Sequence, residues 1–545
     1  MLVPSVIDAL FPADLPEPGH WEERYPPRGL PEGAQVTRLG PSPTGFVHIG
    51  GIYVAMINRD ISRRSGGPYL VRIEDTDQSR EVEGAVAQFA GAFDYFGVPA
   101  DEDDRNGDYG PYLQSARQPI YLSYVRDLLR RDLAYLCFAT SEELAEARRR
   151  QEEAKVPTGY YGEWAIWRDA EPTAVQAKLD EGAPYVVRFR SPGTTGARAS
   201  FTDAIRGRLE HEDNRNDVVL LKSSAHPLPL PTYHLAHAVD DHLMRVTLVV
   251  RGEEWISSVP LHLQLFEALG FTPPTYAHIA PLMKKIPGGK RKLSKRKDPE
   301  SSVTFYVQAG YPAEAVLFYL RGLANGRLAE LPLPQALEEP IRLAEFGVAG
   351  PLVDLVKLED ISADHIATLS GEQILAAVRA WAAEHDPELV PVLDAERELA
   401  LAALAVEREG VDNPRKDLRK WSDFRTAYGF FFRQLFVPVP VGDPQFGGMA
   451  PDLVRAFAED FAAGYRHDAA DWFDQIRALA AKHGFASSPK EYKKDPDAYP
   501  GSIREASQLI RLALTGSTRS PDLFAVANTL GAAEVVRRAR VLAAS

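Results

Sequence analysis

Val36-Thr37-Arg38-Leu39-Gly40-Pro41-Ser42-Pro43-Thr44-Gly45-Phe46-Val47-His48-Ile49-Gly50-Gly51, continuing through Arg64 to Tyr69-Leu70-Val71-Arg72-Ile73, decides the fold. Val36–Leu39 reads as a short strand. Gly40–Gly45 packs two glycines and two prolines into six residues, a turn that neither helix nor strand runs through. From Gly50 to Arg64, Ile52, Val54, Ala55, Ile57 and Ile61 recur at helical spacing and give one buried face. Ser65-Gly66-Gly67 ends that helix, and Tyr69–Ile73 reads as a buried strand. A second helix is expected from about Glu81 to Phe96. Strand, helix, strand, helix at this spacing begins a parallel α/β sheet with crossover helices.

Outward from this unit the pattern breaks and then returns. Met1–Gln35 contains seven prolines and reads as an irregular extension packed on the body. Residues 115–230 hold two helices, one opened by the capping box Thr140-x-x-Glu143, and strand-like Tyr185–Arg190 and Val218–Lys222. The alternation resumes with strand Arg245–Arg251, helix Val259–Leu269 and strand-like Tyr276–Met283. The middle block therefore reads as a domain inserted into one split sheet. After about residue 300 the strand signal fades, and helical patterns such as Gly371–Glu384 and Pro451–Tyr465 dominate.

Composition narrows the class. The 545 residues are 45% hydrophobic and 25% charged, which suits a globular protein of several domains. Cys137 is the single cysteine, which excludes an internal disulfide or a Cys₄ zinc site and points to a reducing compartment. No apolar run reaches the roughly 18–20 residues that span a membrane, and the first 35 residues show no basic-then-apolar leader pattern. The formal charge of −14 argues against a nucleic-acid partner. It is unevenly spread, however. Lys284–Lys297 holds eight Lys/Arg and no acid, and the last 45 residues hold six basic and three acidic groups.

Two motifs carry chemistry. His48-Ile49-Gly50-Gly51 sits where a strand's loop enters a helix, so its glycines admit a ligand close to the backbone and the helix N-terminus favours phosphate. The imidazole can donate to a triphosphate as its charge grows. By itself this motif also fits an ordinary structural turn. Lys292-Leu293-Ser294-Lys295-Arg296 follows Gly288-Gly289, and its two lysines can neutralise a departing pyrophosphate. By itself this pentad also fits a solvated turn.

Together and in this order they resemble the two signature sequences of class I aminoacyl-tRNA synthetases. Further blocks are similar to the glutamyl-tRNA synthetase family: Arg38–Gly45, Arg72-Ile73-Glu74-Asp75-Thr76-Asp77, Gly110-Pro111-Tyr112-x-Gln114-Ser115, Thr232–Ala236, Val239–His242 and Arg251–Trp255. Leu514-Thr515-Gly516-Ser517 resembles the family's C-terminal end. The resemblance is dense over 36–300 and looser beyond. It implies a Rossmann-like α/β catalytic domain with an inserted α+β acceptor-binding domain and an all-α anticodon-binding region. The boundaries are an extension over 1–35, catalytic halves at 36–114 and 231–300 and the insert at 115–230. A stem-contact helical domain spans 301–365 and the anticodon-binding tail 366–545.

The activity the resemblance implies runs in two steps. Glutamate attacks the α-phosphorus of ATP, releasing pyrophosphate, and the glutamyl group then passes to the 3′ end of tRNA(Glu). Exchange between ATP and pyrophosphate is expected to need tRNA. Catalysis rests on His48, Lys292 and Lys295, and ATP on His48, Gly50, Gly51, Lys292, Ser294 and Lys295. Glutamate brings two carboxylates, which calls for arginines. The resemblance assigns it Arg38, Ser42, Glu74, Tyr233, His237 and Arg251. Residue types in the tail suggest Arg415, Arg419 and Trp421 for the anticodon, alongside Arg425, while Phe430–Phe432 reads as core. Mg²⁺ accompanies ATP; no residues are assigned to a metal, and no structural zinc is expected. The other implied attributes are a cytoplasmic location, no membrane and a monomer.

Several residues keep a second reading. Arg38 and Glu74 also fit a buried ion pair between strands, and Tyr233 a half-buried aromatic. Asp240-Asp241 reads as turn and capping carboxylates rather than metal ligands. Asp75 and Asp77 fit ribose ligands or caps, and Trp255 fits core or stacking. Gly40 and His237 stand where the family commonly has alanine and asparagine. A glutaminyl-tRNA synthetase would read Pro-Glu-Pro-x-Gly at 41–45 and end in β-barrels. The truncated relative that glutamylates a tRNA base lacks the C-terminal half. A non-catalytic paralogue has no need of His48, Lys292 and Lys295. Charge then stops being an objection, because only the tRNA-facing surface must be positive; Lys284–Lys297 and the C-terminal stretch are expected to supply it.

Overall fold

The computed structural model describes residues 2–45, 47–77, 82–226 and 229–545. At the N-terminus, α1 (Pro4–Asp8) and α2 (Pro18–Arg24) replace the irregular chain expected there. Pro4 and Pro18 each start a helix, where the missing N–H is no loss. Strand β1 (Thr37–Leu39) leads through the Gly/Pro turn to α3 (Ile49–Ser65), which Gly66 closes at φ 82°. Strand β2 (Tyr69–Val71) follows, then α4 (Ala85–Tyr95). Glu81, the expected start of that helix, lies outside the described residues.

The next block contains α5 (Gln118–Arg130), β3 (Ala134–Cys137), α6 (Ser141–Glu153), α7 (Pro172–Asp180), β4 (Val186–Phe189), β5 (Arg198–Asp203), β6 (Gly207–Glu212) and β7 (Val219–Leu221). Helix α6 carries the expected capping box, with Thr140 and Glu143 bonding each other's backbone. Strands β3, β4 and β7 form their own antiparallel sheet. The β5–β6 hairpin, which falls inside the 115–230 block, leaves it and extends the main sheet.

The chain then returns with α8 (Tyr233–Leu243), β8 (Leu248–Gly252), α9 (Val259–Leu269), β9 (Thr275–Ile279) and the hairpin β10 (Met283–Ile286) and β11 (Gly289–Lys292). The main sheet has the order β2-β1-β8-β9-β5-β6, parallel from β2 to β5. The crossover from β1 runs outward to β2, and that from β8 runs the opposite way to β9. Their carboxyl ends therefore diverge at the β1/β8 boundary, where open α/β sheets form a crevice. Thr37 pairs Leu248 there, which sets Arg38 and Arg251 on the two strands that flank it.

Two compact units result, residues 1–305 with 317–354 and residues 306–316 with 355–545, so the 301–365 segment contributes to both. The second is helical throughout its long segment, with cores around Phe424, Tyr428 and Phe431 and around Phe457, Leu509 and Leu514. In the first, the N-terminal extension is fastened to α5 and α8. Trp21 donates to Ser123 Oγ at 2.9 Å, Arg126 reaches the carbonyls of Leu15 and Pro16, and Arg245 and His242 both meet Glu22. Burial opposes the charge on Glu22, but His242 and Arg245 hold its carboxyl down at about 2. No described helix is long and apolar enough to cross a membrane.

Candidate active site

A cavity of about 340 Å³ opens above the β1/β8 boundary. His48, Gly50, Tyr53, Val54, Gly252, Glu254, Leu282, Lys292 and Lys295 line it, with Ile279, Ala280, Pro281 and Leu293 on the apolar wall. The two signature motifs, some 240 residues apart, thus meet on one cavity.

His48 is the N-cap of α3, and its Nδ1 accepts the Gly50 N–H at 2.9 Å. Burial, then the lysines Lys295 and Lys292, push its pKa down to about 4. A neutral ring whose Nδ1 is an acceptor carries its proton on Nε2. His48 is therefore a neutral donor. A Cβ on Gly50 would come within 2.9 Å of His48 Nδ1, so this glycine keeps the cap in place. Gly51 has ordinary room, its nearest neighbour 3.9 Å away, and is not among the residues lining the cavity.

The second motif sits just past the β10–β11 hairpin. Asp298 Oδ2 accepts Ser294 N at 2.8 Å, and Arg291 grips Asp298 through two bonds of 2.5 and 2.7 Å. Lys284 is held by Asp298 and Glu300. Two of the eight cations in this run thus fasten the loop instead of facing solvent. Ser294 acts through its backbone here, while Lys292 faces Glu254 at 3.4 Å with both groups exposed.

Below the cavity lies a buried charge cluster. Arg38 on β1 bonds Asp241 through Nε at 3.3 Å, and Arg72 bonds Asp241 at 2.6 Å and Glu74 at 3.1 Å. Arg38 and Glu74 are therefore not each other's pair. Asp240 accepts from Arg117 at 2.6 Å, Gln114 at 2.9 Å and Tyr121 at 2.7 Å. Asp240 and Asp241 are almost wholly buried in the last turn of α8, correcting their reading as turn carboxylates. Burial opposes the Asp241 charge, but Arg38 and Arg72 hold its carboxyl far below the ordinary range. Glu74 goes the other way, its pKa raised by burial against the pull of Arg72 and Arg38.

Tyr233, His237 and Asp241 follow at i, i+4 and i+8 on one face of α8. The Tyr233 ring stacks on His237 at 5.5 Å and lies 4.3 Å from Trp255. His237 is fully buried, with Nε2 3.0 Å from the Tyr276 hydroxyl and Nδ1 2.7 Å from Asp241. It supports the pocket from beneath Tyr233 instead of lining it. Ser42 is exposed in its turn, its carbonyl accepting Thr44 N. Arg251 is only 5% exposed, and its bonds run to His278 at 3.0 Å, His262 at 3.2 Å and the Tyr233 hydroxyl at 3.4 Å. It makes no ion pair among the described residues. His262, His278, Asp203 and Glu254 were not singled out from sequence; histidines scattered over 203–278 give no spacing signal before the sheet aligns them.

The tail residues behave differently. Trp421 is 7% exposed and packs against Gly310, where a Cβ would come within 2.8 Å, so no face is left for a base. Arg415 is bidentate on Asp417, Arg419 bonds Glu359 and Arg425 is bidentate on Asp386. Phe430–Phe432 are core, as read. Three of the six basic residues of the C-terminal stretch are engaged within the fold: Arg537 and Arg538, joined by Arg433 from outside it, converge on Glu534, and Arg511 binds the Ser520 and Pro521 carbonyls. Cys137 is buried with Sγ 3.3 Å from the Tyr160 hydroxyl. No described group of three or more His, Cys, Asp or Glu gathers as a metal site.

Comparison with known proteins places this geometry. The family model described as tRNA synthetases class I (E and Q), catalytic domain, matches residues 35–334, and an anticodon binding domain model matches 502–542. A glutamate–tRNA ligase of Clostridium beijerinckii is 40% identical over 528 residues, 94% of each chain. One from Clostridium perfringens is 39% identical over 548 residues, 98% of this chain and 99% of its own. A crystal structure of a glutamate tRNA ligase from Elizabethkingia meningosepticum in complex with its amino acid superposes with a TM-score of 0.75 at 27% identity, over 94% of this chain and 99% of that one.

Proposed function

From the premise that this chain belongs to the class I tRNA synthetases of the glutamate and glutamine type, we propose how its site works. The chain ligates glutamate to tRNA at the expense of ATP. The observation that carries the substrate assignment is the pair of buried arginines at the β1/β8 boundary. Arg38 has one carboxylate partner, bound through Nε alone, and Arg251 has none among the described residues. A buried guanidinium without a counter-charge is costly, and a ligand carboxylate removes that cost. An amino acid with two carboxylates satisfies both; a side-chain amide would turn an N–H toward one of them. In our reading Arg38 takes the side-chain carboxylate and Arg251 the α-carboxylate, with Glu74 and Tyr233 beside the ammonium group.

ATP lies in the 340 Å³ cavity, its base against the Ile279–Leu282 and Leu293 wall. His48 Nε2–H donates to the phosphates, and Lys292 and Lys295 stabilise the charge that builds on the departing pyrophosphate. Because His48 is neutral near pH 7, it adds a hydrogen bond without opposing those lysines. No protein nucleophile is needed; the chemistry is alignment plus charge stabilisation. Mg²⁺ bound with ATP would take most of its ligands from phosphate and water, and Glu254, the one carboxylate among the described residues lining the cavity, would be its protein contact. The tRNA specificity for glutamate, the monomeric state and a cytoplasmic location belong to the same reading.

The test is charging of purified tRNA(Glu) with glutamate or glutamine, together with ATP–pyrophosphate exchange with and without tRNA. Charging by glutamate, with exchange that needs tRNA, is expected. Equal charging by glutamine would overturn the assignment of Arg38, and no exchange in either condition would overturn the enzyme reading.

A further inference from the structure

Arg251, His278 and Asp203 stand in a row on three adjacent strands. Register pairs Arg251 of β8 with His278 of β9, so both side chains leave the sheet on one face. Strand β5 joins β9 where Asp203 meets Tyr276. Asp203 Oδ2 accepts the His278 N–H at 3.1 Å and lies 2.7 Å from His278 Nδ1, while its Oδ1 accepts Ile205 N at 3.0 Å and Arg206 N at 2.9 Å. Four donors converge on one carboxylate, so it is ionised and acts as acceptor to all of them. The proton of the neutral imidazole is thereby held on Nδ1. Its Nε2 is left bare and accepts Arg251 Nε–H at 3.0 Å.

On the far edge of the guanidinium, Nη2 lies 3.2 Å from His262 Nδ1 and 3.5 Å from the Trp255 carbonyl. His262 in turn passes its Nε2 proton toward His234 Nδ1 at 3.1 Å. Elsewhere in this cluster arginines are clamped by carboxylates: Arg72 by Asp241 and Glu74, Arg117 by Asp240. Arg251 is held by uncharged imidazoles instead. These fix its plane without neutralising it.

We infer that Asp203 and His278 are positioning residues: through one enforced tautomer of His278 they orient the Arg251 guanidinium so that Nη1, beside the Tyr233 hydroxyl, meets the α-carboxylate of the amino acid. The inference rests on the assignment of Arg251 to that carboxylate. It gives the β5–β6 hairpin a part in positioning Arg251, because Asp203 is the β5 residue in register with Tyr276 of β9.

The experiment measures KM for glutamate and for ATP in tRNA charging, with Tm, for His278→Ala, His278→Gln and Asp203→Asn. Gln places a carbonyl oxygen where Nε2 stood and so still accepts from Arg251. Asn at 203 offers an N–H to His278, which moves the imidazole proton to Nε2 and sets donor against donor at Arg251 Nε. His278→Ala and Asp203→Asn are expected to raise the glutamate KM about 10–100-fold with ATP KM unchanged, and His278→Gln to restore it to within about 3-fold of wild type. A wild-type glutamate KM in Ala and Asn variants, an equal rise in both KM values, or no rescue by Gln would overturn the inference. If His278→Ala does not fold, the Gln and Asn variants decide it. Wild-type enzyme that fails to charge glutamate would instead refute the functional assignment on which the inference rests.

Discussion

Acidification toward pH 5.5 should destabilise the fold chiefly through its buried histidines. His48, His234 and His237 have pKa values pushed from an ordinary 6.5 down to about 4, by burial first, with Lys295 and Lys292 adding at His48, Arg251 adding at His234, and Asp241 opposing the shift at His237. In the unfolded chain each would return to its ordinary value, so the unfolded state binds more protons between about pH 4 and pH 6.5. Stability from these groups is complete above pH 6.5 and is lost as pH falls toward 4. At pH 5.5 each histidine is about 0.9 protonated when unfolded and nearly unprotonated when folded, so the three take up about 2.6 protons on unfolding. That corresponds to a loss of about 3.5 kcal/mol per pH unit. His262, His278 and His365 are also depressed and add to the count. Glu74, pushed upward by burial, releases at most about one proton in the opposite sense. Potentiometric proton uptake on urea unfolding at pH 5.5, against a control at pH 7.5, reads this number directly. His237→Gln should lower it by about 0.9. Uptake below about one proton at pH 5.5 would mean that the folded histidines are charged, and the argument from their burial would fail.

His48→Asn keeps an N-cap acceptor but loses the Nε2 donor, so kcat should fall about 10²–10³-fold while Tm stays close to wild type; a parallel loss of Tm would show that capping was the residue's main role. Asp240→Asn leaves Arg117 buried without its counter-charge, and should cost about 3–5 kcal/mol in denaturant melts; a change under about 1 kcal/mol would contradict the burial argument. Gly40→Ala puts a Cβ 2.2 Å from Glu74 Oε1, a carboxylate already held by Arg72. It should raise the glutamate KM and leave the ATP KM alone, and an unchanged glutamate KM would show that Glu74 has room to move. Trp421→Ala should cost about 3–5 kcal/mol of stability as a core truncation; normal stability with selectively weaker tRNA binding would restore the stacking role.

Much of the site was legible because its residues sit in short runs whose local structure carries the meaning. His48 precedes a helix, Gly50 keeps its cap, and Lys292 and Lys295 flank a glycine-punctuated hairpin; each is a local fact. The alternation of strands and helices likewise announced the parallel sheet and its interruption. What escaped was every relation made across strands. Asp203 looked like part of an inserted block, because the Arg198–Glu212 hairpin was not singled out and its hydrogen bonds to the main sheet leave no trace in composition. Asp240-Asp241 looked like a turn because adjacent acids prefer solvent, until Arg38, Arg72 and Arg117 arrive from three distant segments to bury them. Trp421 and the tail arginines show the same limit, because residue type does not reveal that Trp421 is buried or that Asp417, Glu359 and Asp386 pair with Arg415, Arg419 and Arg425.

The division between the two kinds of information follows from range. Periodicity, turn chemistry and capping act within a few residues, so the chain alone dictated the split α/β unit, the helical tail and the local form of the His48–Gly51 and Lys292–Arg296 motifs. Charge compensation and side-chain orientation depend on what lies within a few ångströms in space, whatever the separation along the chain. The pairing of Arg38 with Asp241, the setting of Arg251 among imidazoles with no ion pair among the described residues, and the Asp203–His278 contact were therefore settled by tertiary contacts. They leave two buried arginines on the strands that flank the crevice, the pair on which the proposed glutamate site rests.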